Sequence, residues 1–177
     1  TEFSNGNELP ENLKHNFYSI SNLENGIALK EHQKEGISWL QSLFKENFAG
    51  GLLADDMGLG KTLQLLYFIE WHCQQYDDNK PYLIVAPVSL LENWENEYQK
   101  FFNPQNLPLL NLYGSVSLTK ENITYQNQQD AKRLQSKQII LTNYETVRSY
   151  QISLGLVDFA IIALDEAQKI KTPGTQI

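Results

Sequence analysis

The stretch GLLADDMGLGKT (51–62) decides the fold, because it combines an apolar segment, a glycine-bearing loop and the start of a helix. Residues 51–54 (GLLA) are short and apolar and predict a buried strand. Residues 63–71 (LQLLYFIEW) are apolar on most sides and predict a helix packed under a sheet. A loop between a strand and a helix N-terminus aims several backbone N–H groups at one point, where the helix dipole adds positive potential. The stretch therefore predicts a loop that binds phosphate groups.

The side chains of this loop indicate a nucleotide with magnesium. The usual pattern is GxxxxGK(S/T), and Asp55 stands here at the place of the first glycine. We expect Lys61 to reach the β- and γ-phosphates and the Thr62 hydroxyl to bind Mg²⁺. The rest of the loop completes the predicted nucleotide-binding set: Asp56, Met57, Gly58, Leu59 and Gly60. Taken alone, the same residues also fit a turn before a core helix with a chance GKT.

A second motif, Asp165-Glu166-Ala167-Gln168, follows about a hundred residues later. The run before it, 159–164 (FAIIAL), is apolar throughout and predicts a central parallel strand covered on both faces. Asp165 then falls at the carboxyl end of that strand, where ligands bind in open α/β sheets. We expect Asp165 to hold Mg²⁺ through water and Glu166 to position or deprotonate the attacking water. The alternative, an acidic pair in a surface turn, loses weight beside a phosphate loop.

Composition restricts the class of protein. The 177 residues suffice for one domain with a proper core, and a hydrophobic fraction of 41% indicates a globular chain. The net charge of −7 argues against a simple electrostatic nucleic-acid binder. Cys73 is the only cysteine, so an internal disulfide is excluded. No apolar run is long enough to cross a bilayer and the N-terminus lacks a signal-peptide pattern, so we expect an intracellular protein that does not act at a membrane.

The pattern along the chain predicts an α/β domain. Residues 1–28 lack periodicity and predict a leader or the tail of an upstream region, whereas 29–177 predict the domain itself. Apolar spacing predicts a helix over 31–46, and Ser89 with Glu92 predicts a capping box that opens a helix ending near 102. The other predicted elements are strands at 82–86, 107–113, 138–142 and 157–165 and a short helix near 130–134. Such alternation predicts a parallel sheet with right-handed crossovers.

Five segments, in order, resemble the SWI/SNF-like ATPases of helicase superfamily two, which are duplex-DNA translocases and remodellers. These segments are LKEHQKEGISWL (29–40), GGLLADDMGLGKT (50–62), LIVAPVSLLENWENEYQKF (83–101), ILTNYETVR (140–148) and DEAQKIKTPGT (165–175). The resemblance implies a RecA-like P-loop domain of three αβα layers, with ATP and Mg²⁺ as cofactors. It implies duplex DNA as a partner, gripped through its phosphates, and DNA-bound proteins as further targets.

The resemblance also implies roles for individual residues, each with a structural alternative. Gln33 would contact the adenine, or it faces solvent on an amphipathic helix. Ser89 and Thr142 would contact the DNA backbone, or they serve as a helix cap and an ordinary strand-end residue. Trp39 and Trp94 are expected to pack in the core or at an interface rather than stack on bases.

Departures from the family pattern limit the expected activity. Lys30 stands where an arginine is more usual, and the chain ends at Ile177, before the family's next motif. We therefore expect the first of two lobes, incomplete at its C-terminal end and inactive alone. The missing second lobe would supply the arginine fingers and half of the DNA grip. Such a motor would work in the cytoplasm or nucleoid of a bacterium, or in the nucleus of a eukaryote.

Two other functions stay open. One is a P-loop ATPase or GTPase that does not act on nucleic acid, although the segment Asn79-Lys80-Pro81-Tyr82 lacks the Asp of a guanine-reading motif. The other is a non-catalytic nucleotide-binding or interaction module. The full catalytic set argues against a degenerate site, because it retains Lys61, Thr62, Asp165 and Glu166.

Overall fold

The structure of the protein is a computed structural model that describes residues 17–20, 28–53, 60–76, 79–102 and 107–168. The chain forms two compact units, Thr1–Gln75 and Tyr76–Ile177, called here the first and the second unit. No helix among the described residues has both the length and the apolar character needed to cross a membrane.

The described residues of the first unit form two helices, α1 (Glu31–Lys45) and α2 (Lys61–Gln75). The two helices approach closely at Gly36, where an added Cβ would collide with the side-chain amide of Gln64. Further along, the ring of Phe44 meets three aromatic side chains of α2: Phe68, Trp71 and His72. The two predicted helices are confirmed, and α2 extends beyond its predicted bounds because its buried face continues to Cys73.

A short segment without regular secondary structure, residues 17–20, lies against both helices. The side chain of Gln41 bonds Tyr18 in both directions, accepting from its backbone N–H at 3.0 Å and donating to its carbonyl oxygen at 2.8 Å. The backbone N–H of Ile20 donates to the hydroxyl of Tyr67 at 3.1 Å. The ammonium group of Lys45 lies 3.4 Å from the centre of the Tyr18 ring. Part of the predicted leader is thus fixed to the first unit by polar bonds and packing.

The strand predicted at 51–54 is wrong over its described part, because residues 51–53 adopt no regular secondary structure. Gly51 lies so close to α1 that an added Cβ would collide with the side chains of Leu43 and Trp39. The side chain of Leu52 is 78% exposed. The segment is therefore packed against a helix rather than paired in a sheet, and Ala54 lies outside the described residues.

Within the described ranges 79–102 and 107–168, the second unit contains a four-stranded parallel sheet with strands β1 (Tyr82–Val85), β2 (Leu109–Leu112), β3 (Ile139–Thr142) and β4 (Ile161–Leu164). The spatial order is β2-β3-β1-β4, and every neighbouring pair runs parallel. The register sets Val85 of β1 opposite Thr142 of β3 and Leu164 of β4. The carboxyl ends of these strands therefore share one edge, and the predicted parallel α/β fold is confirmed.

In the part of the second unit that the structure describes, four helices accompany the sheet: α3 (Val88–Phe101), α4 (Thr124–Leu134), α5 (Tyr144–Ser149) and α6 (Gln151–Gly155). The core of this unit joins sheet residues such as Val85 and Ile140 to helix residues such as Leu134 and Leu154. Helix α4 is longer than the short helix expected near 130–134, and α5 and α6 were not predicted. Helices of five or six residues are too short for apolar periodicity to reveal them.

Two further predictions are wrong in detail. β4 was expected at the centre of the sheet, but within the described residues it pairs only with β1, and Ile162 and Leu164 are 58% and 50% exposed. Ser89 was expected to cap α3, but the N-cap is Pro87, whose carbonyl oxygen accepts from the Leu90 N–H at 2.9 Å. Proline suits this boundary because it has no N–H to satisfy. Ser89 therefore lies inside the first turn.

Candidate functional site

Three of the predicted nucleotide-binding residues, Gly60, Lys61 and Thr62, lie at the start of α2 in the first unit. Gly60 has a φ of 77°, and the helix begins at the next residue, Lys61. The carbonyl oxygen of Gly60 accepts from the backbone N–H of Gln64 at 3.1 Å. The side chains of Lys61 and Thr62 are half-buried in the first turn. A lysine and a hydroxyl thus flank the positive end of a 15-residue helix, which suits a phosphate and its metal.

Gln33 contacts this helix start from α1. Its side chain is 8% exposed, and its Oε1 accepts from the backbone N–H of Lys30 at 3.0 Å. Its Nε2 lies so close to Gly60 that any added Cβ there would collide with it. The structure therefore joins three predicted nucleotide-binding residues, Gln33, Gly60 and Lys61, within one unit. The solvent-facing alternative for Gln33 is wrong, while its contact with adenine stays a prediction.

The remaining loop residues of the predicted set lie outside the described residues: Asp56, Met57, Gly58 and Leu59. Asp55 lies outside them as well. Their role in phosphate binding stays a prediction.

The acidic motif lies in the second unit, directly after β4. The backbone N–H of Asp165 donates to the Val85 carbonyl oxygen at 2.8 Å, which continues the pairing with β1. Glu166 follows with a φ of 53°, a left-handed conformation that a non-glycine residue adopts at a cost. The Glu166 carboxylate accepts a hydrogen bond from the Gln168 amide. Both acids are half-buried at the carboxyl edge of the sheet, as predicted for Asp165.

Two aromatic residues hold Asp165 in place. Nε1 of Trp94 donates to Oδ2 of the Asp165 carboxylate at 2.9 Å. The hydroxyl of Tyr144 donates to the Asp165 backbone carbonyl oxygen at 2.6 Å. Burial raises the pKa of Tyr144, and the negative charges of Asp165 and Glu166 raise it further. The hydroxyl therefore stays protonated and keeps its proton for this hydrogen bond.

Sequence reasoning assigned no site role to Trp94, Tyr144 or Gln168. A partial signal existed for Trp94, because a buried indole N–H usually finds an acceptor and a nearby carboxylate is a strong one. The acceptor lies 71 residues away in the chain, so the sequence does not indicate which carboxylate it is. Trp94 is buried, as expected, but its packing includes a direct bond to the acidic motif.

The two predicted DNA-contacting residues differ in exposure. Ser89 is exposed in the first turn of α3. Thr142 is fully buried, and its hydroxyl donates to the carbonyl oxygen of Leu112 at 2.6 Å. A DNA contact at Thr142 stays a prediction. It requires the hydroxyl to release the Leu112 carbonyl oxygen and to donate its hydrogen bond to a phosphate instead.

A cleft of about 540 Å³ opens between the start of α3 and the ends of β2 and β3. Its lining comprises Val88, Leu91, Glu92, Glu95, Tyr113, Gly114 and Asn143. Of the predicted nucleotide-binding residues that the structure describes, none belongs to this lining. The carboxylates of Glu92 and Glu95 make it a poor site for phosphate groups.

Three comparisons place the chain among known proteins. A family model described as the SNF2-related domain matches residues 32–177. Zorya protein ZorD of Escherichia coli O139:H28 is 46% identical over 172 residues, which cover 88% of this chain and 16% of ZorD. Helicase SWR1 of Saccharomyces cerevisiae is 36% identical over 143 residues, which cover 81% of this chain and 9% of SWR1. The chain thus spans less than a fifth of the length of these relatives.

This chain is similar in fold and in sequence to a solved structure, described as the Sulfolobus solfataricus SWI2/SNF2 ATPase core in complex with double-stranded DNA. The TM-score is 0.67 at 32% identity, with 91% of this chain and 30% of that chain covered. This similarity confirms the predicted RecA-like core fold. Because the family model covers residues 32–177, the chain belongs to the SNF2-related domain family, the SWI/SNF-like ATPases of helicase superfamily two that its motifs resemble.

Proposed function

We propose that the protein containing this chain is an ATP-driven motor that translocates on duplex DNA and remodels protein–DNA complexes, with this chain as its ATP-binding lobe. The observation that carries the proposal is the contact of Gln33 with Gly60 at the N-terminus of α2, beside Lys61. This arrangement supplies backbone N–H groups, a cation and a side-chain amide at one helix start, which are the groups that recognise a purine nucleoside triphosphate.

Each site residue has a role in this proposal. Lys61 contacts the β- and γ-phosphates, Thr62 and Asp165 hold Mg²⁺, and Gln33 contacts the adenine. Glu166 orients the attacking water, and its left-handed conformation supports this role, because such conformations cluster at functional sites. Bound ATP and Mg²⁺ supply the reactive phosphoryl group and neutralise the charge on its oxygens.

Duplex DNA is the proposed partner, together with the proteins bound to it. Support comes from the similar ATPase core, whose structure includes double-stranded DNA. Within this chain, the exposed Ser89 at the first turn of α3 offers a hydroxyl and a helix N-terminus to a backbone phosphate. We propose an intracellular site of action, in the nucleoid of a bacterium or the nucleus of a eukaryote.

The test is the ATPase activity of the full-length protein with and without duplex DNA. We expect DNA to stimulate hydrolysis and Lys61→Ala to lower the stimulated rate by about a hundredfold or more, because the phosphate charge loses its cation. Lys34→Ala is the matched control, since Lys34 pairs with Glu31 on the exposed face of α1. Parent-like rates in folded Lys61→Ala protein would refute the site assignment.

The same assay separates the alternatives. Hydrolysis that is equally fast with and without DNA would favour an ATPase that does not act on nucleic acid. Nucleotide binding without any hydrolysis, with or without DNA, would favour an interaction module.

A further inference from the structure

We propose that Trp94 is a positioning residue for Asp165, acting through its indole N–H on one oxygen of the carboxylate so that the other oxygen is held toward the magnesium hydration shell. The inference rests on the proposed function, because Asp165 is the proposed magnesium ligand. It adds a residue of α3, outside both nucleotide motifs, to the groups that determine how tightly the metal is held.

The main chain of Asp165 is already fixed from two sides. Its N–H donates to Val85 of β1, and its carbonyl oxygen accepts from Tyr144 of α5. With the backbone held in this way, the remaining freedom of the residue lies in its own side-chain torsions. A carboxylate that rotates freely pays an entropic cost when it orders around a metal.

The indole of Trp94 restricts those torsions. Its side chain is 4% exposed and belongs to the buried stripe of α3, together with Leu91 and Tyr98. Nε1 reaches Oδ2 of Asp165 at 2.9 Å, a normal length for a charge-assisted bond. An indole N–H is a donor only, so this contact engages Oδ2 as the acceptor and fixes the rotation of the Asp165 carboxylate.

The two roles that Trp94 could have, positioning Asp165 or only packing the core, predict different effects of losing its N–H. If Trp94 only filled space in the second unit, loss of its N–H would alter stability without changing the requirement for Mg²⁺. If it positions Asp165, loss of the N–H lowers the affinity for Mg²⁺ and leaves metal-free nucleotide binding intact, because Gln33 and Lys61 lie on other elements. Second-shell hydrogen bonds of this kind commonly change metal affinity by about 10- to 100-fold.

The test compares Trp94→Phe with the parent in the full-length protein. We expect the Mg²⁺ concentration for half-maximal ATPase activity to rise about tenfold, with ATP affinity in EDTA unchanged. Tyr98→Phe is the matched control: it removes one polar atom from a buried aromatic residue on the same face of α3, where the hydroxyl donates to the Leu107 carbonyl oxygen. We expect its Mg²⁺ requirement to equal that of the parent.

A double-mutant cycle shows whether Trp94 acts through Asp165. In an Asp165→Asn background, Trp94→Phe should cause no further change in Mg²⁺-dependent ATP affinity, because the carboxylate that it orients is gone. An equal effect of Trp94→Phe in both backgrounds would show a general structural role and overturn the proposal.

An isosteric replacement separates loss of the hydrogen bond from misfolding. β-(3-Benzothienyl)alanine at position 94 keeps the bicyclic shape and replaces the N–H by sulfur. A parent-like Mg²⁺ requirement in this protein overturns the inference while leaving the proposed function standing. Absence of Mg²⁺-dependent hydrolysis in the parent itself refutes the proposed function, and the inference with it.

Discussion

At the scale of a single residue, position 60 requires glycine for two independent reasons. Its φ of 77° lies in the left-handed region, which disfavours any side chain with a Cβ. A Cβ in that position would also collide with the Gln33 amide. The backbone conformation and the contact with Gln33 therefore both require glycine at position 60. Both constraints lie at the start of α2, where phosphate binding is proposed.

Glu166 is the residue whose change most directly separates binding from hydrolysis. Glu166→Gln keeps the size and shape of the side chain but removes the charge that orients or deprotonates water. We expect ATP affinity to stay within about twofold of the parent, and the hydrolysis rate of the full-length protein to fall by about 10²- to 10⁴-fold. Equilibrium nucleotide binding and single-turnover hydrolysis measure the two effects separately.

The control for this change is Glu145→Gln, which makes the same substitution at an exposed position of α5 and should leave hydrolysis unchanged. Loss of nucleotide affinity in the Glu166→Gln protein, with the rate per bound ATP preserved, would assign Glu166 a role in binding instead.

At the scale of elements, helix α1 contacts both the segment at 17–20 and the predicted nucleotide-binding residues at the start of α2. Gln33 on its first turn contacts Gly60, and Gln41 two turns later bonds Tyr18 in both directions. Gln41 is completely buried, so its side-chain amide depends on the Tyr18 backbone for these bonds. The helix therefore contacts the segment at 17–20 through one glutamine and Gly60 of the predicted phosphate loop through another.

Gln41→Ala should release this segment. The backbone N–H of Tyr18 loses its acceptor, so hydrogen–deuterium exchange in a peptide covering 17–20 should accelerate by about tenfold or more, as expected for loss of a hydrogen bond worth about 1.5 kcal/mol. The measurement uses mass spectrometry on the full-length protein. Glu35→Ala, at an exposed position of the same helix, serves as the control. Unchanged exchange in the Gln41→Ala protein would mean that packing alone holds the segment.

At the scale of the whole molecule, we expect the number and placement of arginines to limit ATP hydrolysis by this chain alone. Arg133 and Arg148 are its only arginines. The guanidinium of Arg133 pairs with Asp130 on its own helix at 3.4 Å and also donates to the carbonyl oxygen of Ser117. Arg148 is exposed near the end of the six-residue helix α5. Neither lies at a position that matches the arginine fingers of the family.

The isolated 177-residue chain should therefore bind ATP weakly and hydrolyse almost none. An arginine that stabilises the charge on the γ-phosphate is worth about 10³- to 10⁵-fold in rate. Its net charge of −7 should also make DNA binding poor. Single-turnover hydrolysis by the chain, compared with the full-length protein and with a Lys61→Ala background control, measures the deficit. DNA-stimulated turnover near the intact rate would contradict this expectation.

Contiguous motifs made much of this protein predictable from sequence. Neighbouring residues define the phosphate loop, the acidic motif and the alternation of strands and helices. These features therefore indicate a parallel α/β ATPase fold without knowledge of distant contacts. Gln33 became a candidate only through the resemblance of segment 29–40 to the opening motif of the family.

Tertiary structure alone decided the contacts between distant residues. Asp165 bonds Trp94 across 71 residues and Tyr144 across 21, and Gln41 bonds Tyr18 across 23. Apolar periodicity also failed to give the edge position of β4 in the described sheet or the unpaired state of 51–53. Apolar periodicity indicates whether a position prefers burial. The hydrogen-bond partner of a buried donor, or of a strand edge, depends instead on which groups the folded chain brings within hydrogen-bonding distance.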